Sequence, residues 1–146
     1  MSRIFEEIIR KRGLTADFLN PKYLSQPEIF QKMPDMARAV ELILATISRQ
    51  EKILVYGDYD VDGVTATTLM VEALKLAGAK EVETMLPDRF IDGYGMSKRA
   101  VEEATSRQVK LVITVDCGSN SSEVIKELKQ AGILTIVTDH HEVMGE

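Results

Sequence analysis

Asp58, Asp60 and Asp62 alternate within five residues, and His140 and His141 follow Asp139 near the other end of the sequence. Crowding carboxylates in this way costs self-repulsion unless water or a cation relieves it. Asp60 and Asp62 with Gly63 form a DxDG turn that leads into a helical pattern, which brings carboxylates close to helix amides. A solvated loop that caps a helix would account for one of these aspartates, but not for three. Adjacent histidines leaving a strand point in different directions, so one can bind a metal while its neighbour faces substrate. Taken alone, the pair is equally compatible with a solvated loop. Asp116, at the end of another apolar run, tips the reading towards a cation, because mixed imidazole and carboxylate sets suit manganese, while all-carboxylate sets suit magnesium or calcium. The segment PDRFIDGYG adds Arg89, which can hold a phosphate bidentately, and Gly93 and Gly95, whose amides can approach a ligand. Its competing reading is turn geometry, with Arg89 paired to Asp88 or Asp92 on the surface.

These groups need a frame that brings them together. Four short runs rich in β-branched residues, KILVYG from Lys52, EVETML from Glu81, KLVITV from Lys110 and ILTIVT from Ile133, read as strands. Between the first two, VTATTLMVEALKLAG places Val64, Thr67, Val71 and Leu74 on one helical face and ends at Gly78. Ser97 begins a second helix through Val101 and Ala104, and Ser122 a third through Ile125 and Leu128. The order predicts an α/β fold, a mainly parallel sheet with right-handed crossovers and helices on both faces. GDYDVDG, PDRFIDGYG, DCGSN and DHHE each follow a strand, so all four converge on the carboxyl edge, where open sheets of this kind bind ligands. Residues 1–50 read as a helical lead-in packed on the sheet, with a break at Asn20 and Pro21 and a core stripe of Met33, Met36, Val40 and Leu44.

The length of 146 residues suits one domain, and 45% hydrophobic with 28% charged residues suits a soluble fold. No stretch approaches the roughly 20 apolar residues of a membrane helix, and the mixed charges of MSRIFEEIIRKRG are unlike a secretory signal, so the expected location is the cytoplasm. Cys117 stands alone and reads as a small buried residue. A net charge of −5 argues against a nucleic-acid surface spread over the whole chain, since such surfaces neutralise phosphates with Lys and Arg.

In order and spacing, VYGDYDVDGVTATTL, PDRFIDGYG, TVDCGSN and VTDHHE resemble the first motifs of the DHH phosphoesterases, in their RecJ-like branch, from Lys52 to Glu142; LNPKYLSQPEIF in the lead-in is similar too. The resemblance implies Asp60, Asp62, Asp116 and His140 as ligands of a manganese or magnesium pair, and Asp58 as a further ligand or a support. It also implies His141, with Asp62, as a catalytic group, His141 lying close to the metal or facing the phosphate. Several DHH branches carry a histidine four residues before the DxD pair, where this chain has Tyr56; the first metal would then be held differently, with help from Asp58. RecJ-like members remove nucleotides from the 5′ end of single-stranded DNA in repair and recombination. A single-stranded nucleic acid is thus the implied partner, and no membrane. In that family a further metal-binding aspartate, the rest of the sheet, a DHH-associated domain and an OB-fold come later in the chain. Residues 51–146 are accordingly expected to be the amino-terminal part of a catalytic domain, with the carboxy-terminal part of the same protein missing and weak or absent activity alone; the alternative is a site completed by another polypeptide.

Three alternatives stand beside this. One is a DHH hydrolase of short oligonucleotides or cyclic dinucleotides, and another a non-catalytic metal- or nucleic-acid-binding module. The third is a haloacid-dehalogenase-like phosphatase, because DVDGVT also resembles that family's nucleophile loop, with Asp60 phosphorylated and Asp62 as acid and base. GDY between strand and loop, and the unexplained DHH, count against it.

Overall fold

The computed structural model describes residues 3–20, 30, 32–93 and 95–144, the side chains of residues 16 and 17 excepted. Most of LNPKYLSQPEIF, together with Pro21 and Tyr94, therefore lies outside the described residues. The chain divides into two compact units, Met1–Met36 and Ala37–Glu146. In the first, α1 (Arg3–Lys11) and α2 (Ala16–Leu19) are short helices. Lys11 pairs with Glu7 one turn earlier at 3.3 Å, a surface contact of small energetic weight.

In the second unit all four expected strands form: β1 (Ile53–Tyr56), β2 (Val82–Met85), β3 (Leu111–Val115) and β4 (Leu134–Thr138). They make one parallel sheet in the order β2-β1-β3-β4. Every residue of β1 and β3 is buried, whereas β2 and β4 are half exposed at the edges. This explains why the two central runs are continuously apolar: a parallel strand covered on both faces has no wet side to mark with polar residues. The helices do lie on both faces. Ile53, Val55, Leu111 and Ile113 pack with Ile47 of α3 (Met36–Ser48) and Leu74 of α4 (Val61–Leu76). Leu54, Tyr56 and Val112 pack on the opposite face with Ala100 and Ala104 of α5 (Lys98–Ser106) and Leu128 of α6 (Ser122–Gln130).

Two expected packing faces are corrected. Met33, Val40 and Leu44 are exposed, and α3 buries Thr46 and Ile47 with Leu42 and Ile43 partly covered. Apolar residues surround this helix, so periodicity alone left two stripes to choose from. In α4, Val64 is exposed, while Gly63, Thr67 and Leu74 are buried. The expected lead-in extended to residue 50, yet all of α3 after its first residue belongs with the sheet.

Chain order and spatial order together locate a crevice. From β1 the chain runs through α4 on one face to β2, then returns through α5 on the other face to β3, on the far side of β1. The order therefore reverses between β1 and β3, and the loops leaving their carboxyl ends diverge to opposite faces, opening a gap where ligands bind in such sheets. Ile113 lies at the centre of the sheet, fully buried, and Leu69 on α4 is 68% exposed. Urea unfolding should show a loss of about 2–5 kcal/mol for Ile113→Ala and less than about 1 kcal/mol for Leu69→Ala.

Candidate metal centre

The loop after β1 is shaped by close packing. Gly63 lies against the backbone of Asp58, where a Cβ would stand 2.5 Å from the Asp58 carbonyl oxygen, so no side chain fits without shifting backbone. Asp60 occupies the N-cap of α4 and its Oδ1 accepts from the Gly63 amide at 3.0 Å. Capping and a role in the cluster are thus compatible for one residue, since a carboxylate has a second oxygen. Asp58, 2% exposed, accepts from the Tyr59 amide at 2.7 Å. Burial raises its pKa, and the nearby Asp60 and Asp116 charges raise it further against the Tyr59 bond.

Asp116 ends β3 in the left-handed region, at φ 61, a conformation uncommon for any residue but tolerated best by Asn and Asp. Its amide donates to the Thr138 carbonyl at 2.9 Å, and the Thr138 hydroxyl donates to the Thr114 carbonyl at 2.6 Å, which ties the ends of β3 and β4 together. Gly118, at φ 113, keeps this loop tight: a Cβ there would meet the Thr114 hydroxyl at 2.7 Å.

At the end of β4, His140 Nε2 lies 3.0 Å from Asp116 Oδ1. His141 Nδ1 lies 2.7 Å from Asp139 Oδ1, which also accepts from the His141 amide at 3.1 Å. The other oxygen of Asp139 accepts from the Ser119 amide at 2.9 Å. Burial of Asp139 opposes ionisation, but these bonds outweigh it and hold the carboxyl well below the usual range, while Asp139 raises the pKa of His141. A carboxylate on Nδ1 fixes the ring and makes Nε2 the basic nitrogen of the neutral form, as around many metal-binding histidines.

Two donor groups result. Ligand atoms of Asp58, Asp60 and Asp116 all lie within 4.8 Å of one another, and so do those of Asp116, His140 and His141. Asp116 belongs to both. Asp62 is exposed in the first turn of α4 and joins neither group among the described residues. It lines an open depression of about 360 Å³ with Ala66, Asp116, Thr138, Asp139 and His140. The donor set fits a divalent cation: carboxylates crowd a partly buried crevice, and two imidazoles stand beside them. Cys117 is not part of that set. Burial, then the charges of Asp58, Asp139 and Asp116, push its thiol up to about 12.

The PDRFIDGYG loop is anchored, though not as expected. Asp92 pairs with Arg99 and accepts from the Ser97 hydroxyl at 2.9 Å and the Asp88 amide at 2.7 Å. Ser97 stands at the N-cap of α5, and Ser121, one residue before the expected Ser122, at that of α6, yet neither side chain caps its helix; the Ser121 hydroxyl accepts from the Met96 amide at 3.2 Å. Arg89 pairs with neither suspected aspartate. Its guanidinium lies 5.5 Å from the centre of the Tyr59 ring, beside the β1 loop. Gly93 and Gly95 have φ values of 75° and 84°. Tyr56 faces the α5 and α6 side of the sheet, fully buried, and its hydroxyl donates to the Gly95 carbonyl at 3.0 Å. Burial pushes its phenol up to about 12. The residue standing where some branches have histidine is therefore an anchor for this loop.

Residues 52–146 match the family model of the DHH family, N-terminal domain. The chain belongs to the DHH family. The single-stranded-DNA-specific exonuclease RecJ of Bacillus subtilis (strain 168) is 41% identical over 140 residues, covering 92% of this chain and 18% of that protein. RecJ of Haemophilus influenzae is 42% identical over 104 residues, covering 71% and 18%. A structure of exonuclease RecJ bound to manganese superposes with a TM-score of 0.66 at 36% identity, over 75% of this chain and 28% of the other. RecJ from Thermus thermophilus in complex with Mn2+ gives 0.71 at 29% identity, over 94% and 19%. This DHH chain thus spans less than a fifth of the length of the two curated relatives. Membership of the DHH family displaces the haloacid-dehalogenase-like alternative.

Sequence reasoning passed over Asp139, Ser119 and Asn120. The signal for Asp139 was its place two residues before His141, the spacing at which an aspartate bonds the backbone ahead of it.

The Asp92 anchor predicts an acid-dependent stability term. Arg99 holds the Asp92 carboxyl far below its ordinary value in the fold. A depressed carboxylate contributes stability that is present above its unfolded pKa of about 3.9 and is lost as the pH falls through the folded value. Between about pH 5 and pH 2, the urea midpoint of the wild type should drop more steeply than that of Asp92→Asn.

Proposed function

We propose that this chain is the amino-terminal part of a metal-dependent phosphodiesterase that acts on single-stranded DNA from the 5′ end, in repair and recombination, within the cytoplasm. The observation that carries the reading is the pair of donor groups sharing Asp116 at the point where strand order reverses. Relatives named as single-stranded-DNA-specific exonucleases, and RecJ structures holding manganese, support the substrate and the ion. Among the described residues no helix is long and apolar enough to cross a membrane.

In this reading Asp58, Asp60 and Asp116 hold one manganese or magnesium ion, and Asp116 and His140 hold a second. When bound, two ions lower the pKa of water and offset charge on the attacking and leaving oxygens of a phosphodiester. The protein's own contribution is placement. Asp116 presents one carboxylate to both groups from a backbone tied to β4. His141, oriented by Asp139, stands beside His140 with ring centres 4.5 Å apart and faces the scissile phosphate, exchanging a proton at Nε2. Asp62, across the depression from His140, completes the site by orienting the attacking water or adding a ligand. Arg89, held over Tyr59, binds a phosphate of the strand, with Gly93 and Gly95 giving its loop room to approach.

Calorimetric titration tests the site directly. Manganese should bind saturably to the wild-type chain, and Asp116→Ala and His140→Ala should weaken binding by roughly tenfold or more. Binding indifferent to both substitutions would remove the reading. In the whole protein, manganese-dependent release of nucleotides from single-stranded DNA should disappear with Asp116→Ala.

A further inference from the structure

We infer that Asn120 is a positioning residue for the His140 and His141 pair, acting through the backbone that leaves the two histidines; the inference rests on the metal-site reading above. β4 ends at Thr138, and the segment beyond it has little apolar packing to hold it: the His140 side chain is 74% exposed, and Val143 and Met144 are 71% and 81% exposed. Geometry there must come from hydrogen bonds. The Asn120 carboxamide supplies two of them. Its Nδ2 donates to the Glu142 carbonyl at 3.1 Å, and its Oδ1 accepts from the Met144 amide at 2.7 Å. One side chain thus meets a backbone donor and a backbone acceptor two residues apart, as a neighbouring strand would, across more than twenty residues of sequence.

The partner of this clamp is firm. Asn120 sits in the loop that begins at Asp116, and that loop is braced by the Asp116 amide on Thr138, by the Thr114 hydroxyl donating to the Cys117 carbonyl at 2.7 Å, and by Gly118 packed on Thr114. Ser119, the residue before Asn120, donates its amide to Asp139. The two consecutive residues therefore grip the chain on either side of the histidines, at Asp139 before them and at Glu142 and Met144 after them. Asp116, in the same loop, faces His140. The loop that offers the shared carboxylate also sets the path of the segment that offers the imidazoles, so the two halves of the second donor group keep their spacing. A carboxamide is suited to this task because it carries one donor group and one acceptor; a carboxylate would keep only the bond to Met144.

Two measurements on this chain test the role. Without added metal, long-range proton–nitrogen NMR spectra of the imidazoles should show a dominant protonated Nδ1 in wild-type His141, held by Asp139. In Asn120→Ala the His140 and His141 signals should shift towards the mixed tautomers of an unrestrained histidine, with the urea midpoint close to wild type because the side chain is exposed. Asn120→Asp should fall between the two. With manganese, Asn120→Ala should bind about tenfold more weakly, as when outer partners of metal-binding histidines are removed. Wild-type imidazole signals in Asn120→Ala would overturn the inference. A wild-type chain that binds no manganese would instead remove the metal reading, and the metal-free imidazole spectra would still decide the role of Asn120.

Discussion

The carboxylate of Asp116 has to lie within reach of two sets of partners that come from opposite sides of one crevice. Asp58 and Asp60 arrive from the loop that leaves β1 towards α4, and His140 and His141 from the end of β4. A single side chain can serve both because β3 lies between β1 and β4 in the sheet. Its backbone turns at a positive φ that a β-branched residue would resist. Many other features of the second unit support this placement. The continuously buried β1 and β3 fix the two central strand ends, and the Thr138 and Asp116 backbone contact fixes the third.

The electrostatics arise from the same crowding. Negative charge from Asp58, Asp60, Asp116 and Asp139 accumulates at one end of the sheet, where it adds to burial in raising the pKa of Asp58 and of the Cys117 thiol. In water such a cluster would be relieved by solvent; partly buried, it is relieved by a cation or by imidazolium. Asp139 differs from the others in having its charge matched by the Ser119 amide and by His141, which suits a residue whose task is to orient a ring. The sheet's opposite end shows a contrasting pattern, in which Glu83 is matched by Lys52 at 3.0 Å and Arg107 at 2.8 Å. The Glu83 charge is thus neutralised within the fold.

Much of this frame was legible in the residues. Four apolar runs with polar segments after each specify a parallel sheet and the edge on which those segments meet, because helices cannot cross between parallel strands without returning the chain to the same end. The membership of Asp58, Asp60, Asp116, His140 and His141 in one neighbourhood is a consequence of that topology. What stayed hidden depended on contacts between segments distant in sequence. The buried face of α3 was ambiguous because apolar residues surround it, and Leu42 and Ile43 face the sheet where Val40 and Leu44 had been expected. Ser97 and Ser121 carry the residue type of helix caps, but the loop between β2 and α5 engages their hydroxyls instead. Tyr56 could not be assigned from its position alone, since only the fold shows its hydroxyl reaching Gly95 through the core. Asp62, the expected equal of Asp60, sits two residues further on, in the first turn of α4, and lines the depression without joining either donor group among the described residues.

In the proposed function one carboxylate, Asp116, is shared by two cation sites at the β1 and β3 crevice. Anomalous diffraction from crystals of this chain grown with manganese measures it most directly. Two peaks about 3.5–4 Å apart are expected, both within coordination distance of Asp116, one beside Asp58 and Asp60 and the other beside His140. Manganese bound only away from Asp116, or ions on the two groups with Asp116 touching neither, would contradict it.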